Sequence, residues 1–183
     1  MVALGVISIL VAIGVGRIDS LLPRWRTDAL ANRFVLDLRQ AQAIAARTNR
    51  AAQLTVELAS TERCQGASYS ITSDGTEYGF VCIRDEYAGV AIDAAGAESV
   101  AGFGCDYEIP LDASGCTFCD GDVGTLQILP TGEILRAGAH ANGDALLFAP
   151  AADATRHVRG VAVRTGTGTA SAHRLLPGGW ECP

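Results

Sequence analysis

The chain opens on Met1–Val15 (MVALGVISILVAIGV), a stretch without a charged residue that stops at Gly16-Arg17 and leads into a second, helix-patterned segment. This junction limits the fold more than any other feature. A helix that is apolar on every face needs lipid or other helices around it, whereas a helix with one apolar stripe needs a core on one side only. β-Branched residues lie on every face of the first stretch. From Arg24 to Asn49, Leu30, Phe34, Leu38, Ala41 and Ala45 recur at three and four, the spacing of one helical face. Arg33, Asp37, Arg39, Arg47 and Arg50 lie mostly off that stripe, and Arg33 with Asp37 forms an i, i+4 pair worth a few tenths of a kcal/mol. Pro23 can kink the helix or restart it, and Thr48-Asn49 is its plausible stop. The pattern predicts a helix of nearly fifty residues, membrane-like at one end and amphipathic at the other, too long for an ordinary globular helix.

Three readings of the first stretch compete. At about 1.5 Å per residue, fifteen residues span roughly 22 Å, short of the ~30 Å hydrocarbon core of a bilayer. A secretory signal peptide would show a basic n-region and a small-residue cleavage site, but no basic residue precedes Arg17, and Arg17-Ile18-Asp19 is a poor A-x-A site. A buried core helix suits the β-branched residues less well than lipid does. The reading adopted is a membrane helix whose beginning is missing from the sequence. Met1, Leu4, Ile7, Ile9, Leu10, Val11, Ile13 and Val15 are then the membrane and assembly residues.

Of 183 residues, 49% are apolar and 19% charged, enough apolar surface for one compact domain, or one domain plus an appendage, and against disorder. Net charge is -6, which argues against general electrostatic binding to nucleic acid. The charge is unevenly spread. Residues 1–50 hold seven Arg against three Asp, and residues 51–183 seven Arg against seventeen acids. Lys is absent, and the 6% of aromatics advertise no large aromatic-lined cofactor pocket.

Beyond Ala51 the pattern becomes strand and turn. Gln53–Leu58 alternates polar and apolar, as a half-buried strand does. Short runs of the same kind occupy Ser68–Thr72, Gly79–Arg84, Gly89–Ile92, Thr125–Leu129, Ala145–Phe148 and Val158–Arg164. Between them lie turn signals such as Ser73-Asp74-Gly75, Pro130-Thr131-Gly132 and Gly166-Thr167-Gly168. Leu126–Leu135 reads as a hairpin with Pro-Thr-Gly at its bend. The expected fold is α+β, a long N-terminal helix laid against antiparallel sheet. Residues 1–23 form the transmembrane and assembly segment, 24–50 its amphipathic continuation and 51–183 a β-rich globular domain.

Six cysteines, Cys64, Cys82, Cys105, Cys116, Cys119 and Cys182, all follow the helix. An even count permits three disulfides among fifteen connectivities, in an oxidising compartment. Cys64 with Cys82 would brace neighbouring strands. Cys116-x-x-Cys119 invites a zinc or redox reading, but His140 has no H-x₃₋₅-H partner, and the pair lies in a Gly/Asp-rich turn rather than opening a helix. Asp120-Gly121-Asp122 lacks the ligand pattern of an EF-hand. No metal or other cofactor is expected. Nucleophile-elbow, zincin, P-loop and dinucleotide motifs are missing, and no catalytic residue stands out.

One basic island interrupts the acidic region: Arg156, His157, Arg159, Arg164, His173 and Arg174 fall within a span that contains no acid. If Val158–Arg164 and Ala170–Leu175 form a hairpin, several Arg could share a face and contact phosphates. The alternative is that they decorate a strand or pair with acids of the same domain, and that reading is favoured.

Together these features resemble the type IV pilin-like proteins, specifically the GspH/FimT pseudopilin family. The opening stretch carries part of the likeness. A more specific part is Leu30-Ala31-Asn32-Arg33-Phe34 through Leu38-Arg39-Gln40-Ala41 to Arg47-Thr48-Asn49-Arg50, running straight into a strand. The Leu126-Gln127-Ile128-Leu129-Pro130-Thr131-Gly132 hairpin is similar to a family feature as well. The resemblance implies an inner-membrane, single-pass precursor with its globular domain in the periplasm. A prepilin peptidase would cut it before a Phe-Thr-Leu-x-Glu start and methylate the new N-terminus. The helix would then pack against other pseudopilins at the centre of a filament, trading lipid for helices with little exposure to water. Met1 aligns with about the seventh residue of a mature pilin, so the cleavage site and assembly Glu are expected upstream, beyond a misplaced start codon or a trimmed sequence. Six restored residues would lengthen the helix to about 31 Å, a match for the membrane core.

The resemblance leaves two functional branches. One is a minor pseudopilin of a type II secretion system, structural and without catalysis. The other is a FimT-like minor pilin that binds DNA during natural transformation through Arg156, Arg159, Arg164 and Arg174. Members that bind DNA carry Gly-Arg-x-Arg, whereas this chain has Arg159-Gly160-Val161-Ala162-Val163-Arg164. A membrane-anchored periplasmic enzyme is the alternative outside the family.

Overall fold

The computed structural model describes residues 2–93, 109, 114–136, 143–152, 157–176 and 179–181, leaving aside the side chains of residues 2–20 and of Arg136. Helix α1 (Val2–Thr48) runs through Pro23 without restarting. Its end is chemically defined. Asn49 adopts a left-handed φ of 54°, which Asn tolerates better than most side chains. That turn lets the Arg50 N–H reach back to the Ala45 carbonyl at 3.3 Å, while Thr48 Oγ1 donates to the Ile44 carbonyl at 2.8 Å. The first bond satisfies a carbonyl that the helix end leaves open, and the second adds a side-chain donor to a carbonyl of the last turn.

The remaining elements are β1 (Ala52–Glu57), β2 (Ser68–Ser73), β3 (Thr76–Cys82), α2 (Ile83–Glu86), β4 (Val90–Ile92), β5 (Cys119–Asp120), β6 (Val123–Ile128), β7 (Ile134–Arg136), β8 (Asp144–Pro150), β9 (Arg159–Val163), β10 (Ala170–Leu176) and β11 (Gly179–Glu181). They build two antiparallel sheets. The first has the order β3-β2-β1-β6-β5 with β7 on β6, and the second the order β11-β10-β9-β8-β4. The α+β architecture, a helix packed on antiparallel sheets, is therefore present.

Alternation explains the first sheet. Strand β1 buries Ala52, Leu54 and Val56 and turns Gln53, Thr55 and Glu57 away. In the second sheet β8 is buried at every position, because both faces of that sheet are covered. Leu146 and Phe148 join Val161 and Val163 in the core beneath the helix. Ala145, Leu147 and Ala149 join Ile109, Val158 and Ala162 in a second cluster on the opposite face.

The helix supplies the keystone of the main core. Leu30, Phe34, Leu38, Ala41 and Ala45 are all inaccessible to solvent. Phe34 meets Tyr69 of the first sheet edge-on at 5.2 Å and Phe148 of the second at 5.9 Å, so one ring sits where three elements converge.

Two local expectations need correction. The run Gly79–Arg84 is not one strand: β3 ends at Cys82 and α2 follows. Arg84, Asp85 and Glu86 offer no apolar alternation, and the turn of helix puts all three in water while burying Ile83. Asp37 is not off the buried stripe but 93% covered, held there by two partners described below.

Candidate functional site

Among the described residues, Asp28, Asp37 and Gln42 fasten the helix to the sheets and their turns, and Arg26 Nη1 donates to the Ala88 carbonyl at 2.7 Å before β4. Asp37 receives Arg33 Nε on both oxygens at 3.0 Å and the Tyr69 hydroxyl at 2.7 Å. Burial raises the Tyr69 pKa and the Asp37 charge raises it further, so the hydroxyl stays protonated as a donor. The bonds that Arg33 donates to the Asp37 carboxylate, and that charge itself, raise the Arg33 pKa. Asp28 ties the helix to the second sheet through one oxygen, Oδ1, which accepts from His157 Nε2 at 2.8 Å and Arg159 Nε at 2.5 Å. Burial alone would raise the Asp28 pKa, but the bonds from Arg159 and His157 bring it below the ordinary carboxylate range. Gln42 Nε2 donates to the Gly132 carbonyl at 2.9 Å and the Gly168 carbonyl at 2.6 Å, one in the β6–β7 hairpin turn and one in the β9–β10 turn. Both partners are acceptors, which fixes the amide's orientation. At Gly168, φ is +70° and a Cβ would stand 1.9 Å from the Gly132 oxygen, so glycine is required where the two turns touch.

The opposite face of α1 is left open. Leu21, Trp25 and Leu36 are 44%, 67% and 58% exposed, large apolar side chains facing water on the continuation of the N-terminal stretch. Leu4, Ile7, Ile9, Leu10, Val11, Ile13 and Val15 lie in the same helix, but their side chains, and Met1 altogether, fall outside the described residues. Among the described residues no helix is long and apolar enough to cross a membrane.

The basic island is divided by the fold. Strands β9 and β10 do pair as a hairpin, with Arg174 opposite Arg159. Arg159 and His157 nevertheless turn to the helix, and their acid is Asp28 rather than one from the globular part. Arg164 also has an interaction partner, and Arg174 is exposed. Arg156 lies outside the described residues. His173 is buried, which lowers its pKa against a raising bond to the Glu181 backbone. Its ring shares a hydrogen bond with the Ser171 hydroxyl, Oγ to Nε2 being 2.7 Å.

Cys64 is bonded to Cys82 and Cys116 to Cys119. The first pair crosses from the β1–β2 loop to the end of β3, where Arg63 stacks 4.0 Å over Phe80 and grips Glu77 with both arms. The second closes the turn entering β5. There Cys119 Sγ and Phe118 pack over Gly124, and a Cβ at Gly124 would lie 2.6 Å from the sulfur. Cys105 and Cys182 lie outside the described residues. A cleft of about 140 Å³ between α1 and β3 is lined by Arg33, Asp37, Gln40, Tyr69 and Tyr78, and its Arg33 and Asp37 charges are already paired with each other. Among the described residues no group of three His, Cys, Asp or Glu side chains could hold a metal ion.

Asp28, Gln42 and Tyr69 carry no motif that announces them. The one signal was the presence of polar residues next to the apolar stripe of a helix expected to be half buried. No protein-family model, curated protein or solved structure matches the chain.

Proposed function

We propose that the chain is a non-enzymatic structural subunit, a minor pseudopilin of a type II secretion pseudopilus, that supports export of proteins across the outer membrane. The helix would anchor it as a single span in the inner membrane and then join other pseudopilins, while the disulfide-braced sheets stay in the periplasm. One observation carries this reading. Helix α1 is 47 residues long, about 70 Å at 1.5 Å per residue, and runs unbroken from the charge-free opening stretch into the half that packs on the sheets. A single helix that is charge-free at its start and amphipathic at its end suits lipid first and neighbouring helices afterwards. Assembly would also use the outward Leu21, Trp25 and Leu36.

The DNA-uptake alternative requires arginines free to meet phosphates, and Arg159 is already committed to Asp28. The enzyme alternative lacks a marked nucleophile. The test is sedimentation of the full-length chain with phospholipid vesicles, followed by an alkaline carbonate wash. The chain should stay with the vesicles through the wash, and replacing Ile9 and Leu10 by Asp should release it. A wild-type chain that remains in the supernatant refutes the anchor and with it the filament role.

A further inference from the structure

From Trp25 onward, the outward face of α1 repeats at alternating intervals of four and three: Trp25, Ala29, Asn32 and Leu36, then Arg39, Ala43 and Ala46, every one exposed. That is the spacing of a coiled-coil seam, with an average of 3.5 residues per repeat, and it lies opposite the stripe that packs on the sheets. Three alanines in the seam allow a partner's backbone to come close, Trp25 and Leu36 are apolar knobs, and Asn32 is the kind of single polar residue that fixes register.

Charge identifies the partner. Among exposed positions from Leu21 to Arg50 there are four arginines, Arg33, Arg39, Arg47 and Arg50, and no acid. Arg33 is paired with Asp37 and Arg50 with Asp74. Among the described residues Arg39 and Arg47 make no ion pair. Asp28 and Asp37, the acids of this half of the helix, are both drawn toward the sheets. A second copy in parallel register would set Arg39 against Arg39, a like-charge contact that opposes association.

We infer that this face docks a long helix from a different subunit, one with a small or apolar seam flanked by carboxylates. The inference rests on the filament-subunit reading and names the partner that reading leaves open.

The test uses the detergent-solubilised full chain and two labelled four-heptad peptides with Leu and Ala at their seam positions, one flanked by Glu and the other by Lys. Fluorescence anisotropy should show binding of the Glu-flanked peptide alone. Leu36→Asp should weaken that binding about tenfold or more without moving the melting temperature. Arg39→Glu with Arg47→Glu should transfer preference to the Lys-flanked peptide. Equal binding of both peptides, binding of neither, displacement by unlabelled chain through this face, or binding only of a DNA duplex would each overturn the inference. Vesicle sedimentation separates the two claims: a chain that stays in the membrane but binds no peptide sinks the docking face alone, and one that binds peptide but never sediments sinks the filament reading alone.

Discussion

Gln42 offers the sharpest test of how the helix is held. Its amide nitrogen bridges two carbonyls, Gly132 at 2.9 Å and Gly168 at 2.6 Å, that belong to turns of different sheets. A hydrogen bond of this kind contributes about 0.5–1.5 kcal/mol net, so Gln42→Leu should cost about 1–3 kcal/mol. For a chain of this length each kcal/mol shifts the melting temperature by about 2–4 °C, which puts the central expectation near a 4–8 °C loss. Gln42→Glu should be worse at neutral pH. A carboxylate has no hydrogen to offer, and it would place a charge against two carbonyl oxygens. Its pKa would be raised in the folded state, so the substituted chain is most stable while the acid is protonated, below about pH 4.3, and loses stability as pH rises. Thermal melts of wild type, Gln42→Leu and Gln42→Glu at pH 4 and pH 7, followed by circular dichroism, separate these cases. If Gln42→Glu melts with Gln42→Leu at both pH values, or if neither differs from wild type, the bridging role is refuted.

Two further outcomes follow from the same contacts. Asp28→Asn removes the charge that Arg159 and His157 share, and should cost about 1.5–3 kcal/mol at pH 7. Because the folded Asp28 has a lowered pKa, its contribution is present above the unfolded value near pH 3.9 and fades as pH falls through the folded one, so the gap between wild type and Asn should close in acid melts. A gap unchanged from pH 7 to pH 2 would argue against the ion pair. Gly168→Ala and Gly75→Ala both place Ala at a left-handed φ, near +70° and +73°, but only the first meets a carbonyl, so its loss in melting temperature should clearly exceed that of the second. Equal losses would mean that the two hairpin turns do not touch.

The elements that the sequence made legible are those whose evidence is local. Periodicity located α1 and its buried stripe, and alternation located β1 and β2, because both patterns are set by neighbours a few positions away. The β6–β7 and β9–β10 hairpins were marked by their own turn residues. The fasteners were not legible, since their partners are far off in sequence: Gln42 bonds residues 90 and 126 positions away, and Arg159 lies 131 from Asp28. Asp37 looked like half of a surface i, i+4 pair. Its burial depends on Tyr69, whose hydroxyl makes a carboxylate tolerable in that position, and nothing near Asp37 in sequence signals this. Within the basic island, Arg159 and His157 are a further case, because their acid is Asp28 of the helix, 131 and 129 positions away.

The positions of the fasteners bear on what the helix can do. Asp28 grips the second sheet, Asp37 the first, and Gln42 the turns of both, so the bonds described for this half of α1 are spread along one side from near Pro23 almost to its end. Each polar group on that side is satisfied within the chain, which keeps the helix attached without help from its other face. The outward seam can therefore gain or lose a neighbour without unfolding the domain beneath it. Asp37 is taken up by Arg33 and Tyr69, and Asp28 by Arg159 and His157, so neither carboxylate is paired with Arg39 or Arg47. Turning both acids inward thus does two things at once: it secures the helix to its own sheets, and it leaves the exposed face basic, with specificity set by which neighbouring helix brings carboxylates to Arg39 and Arg47.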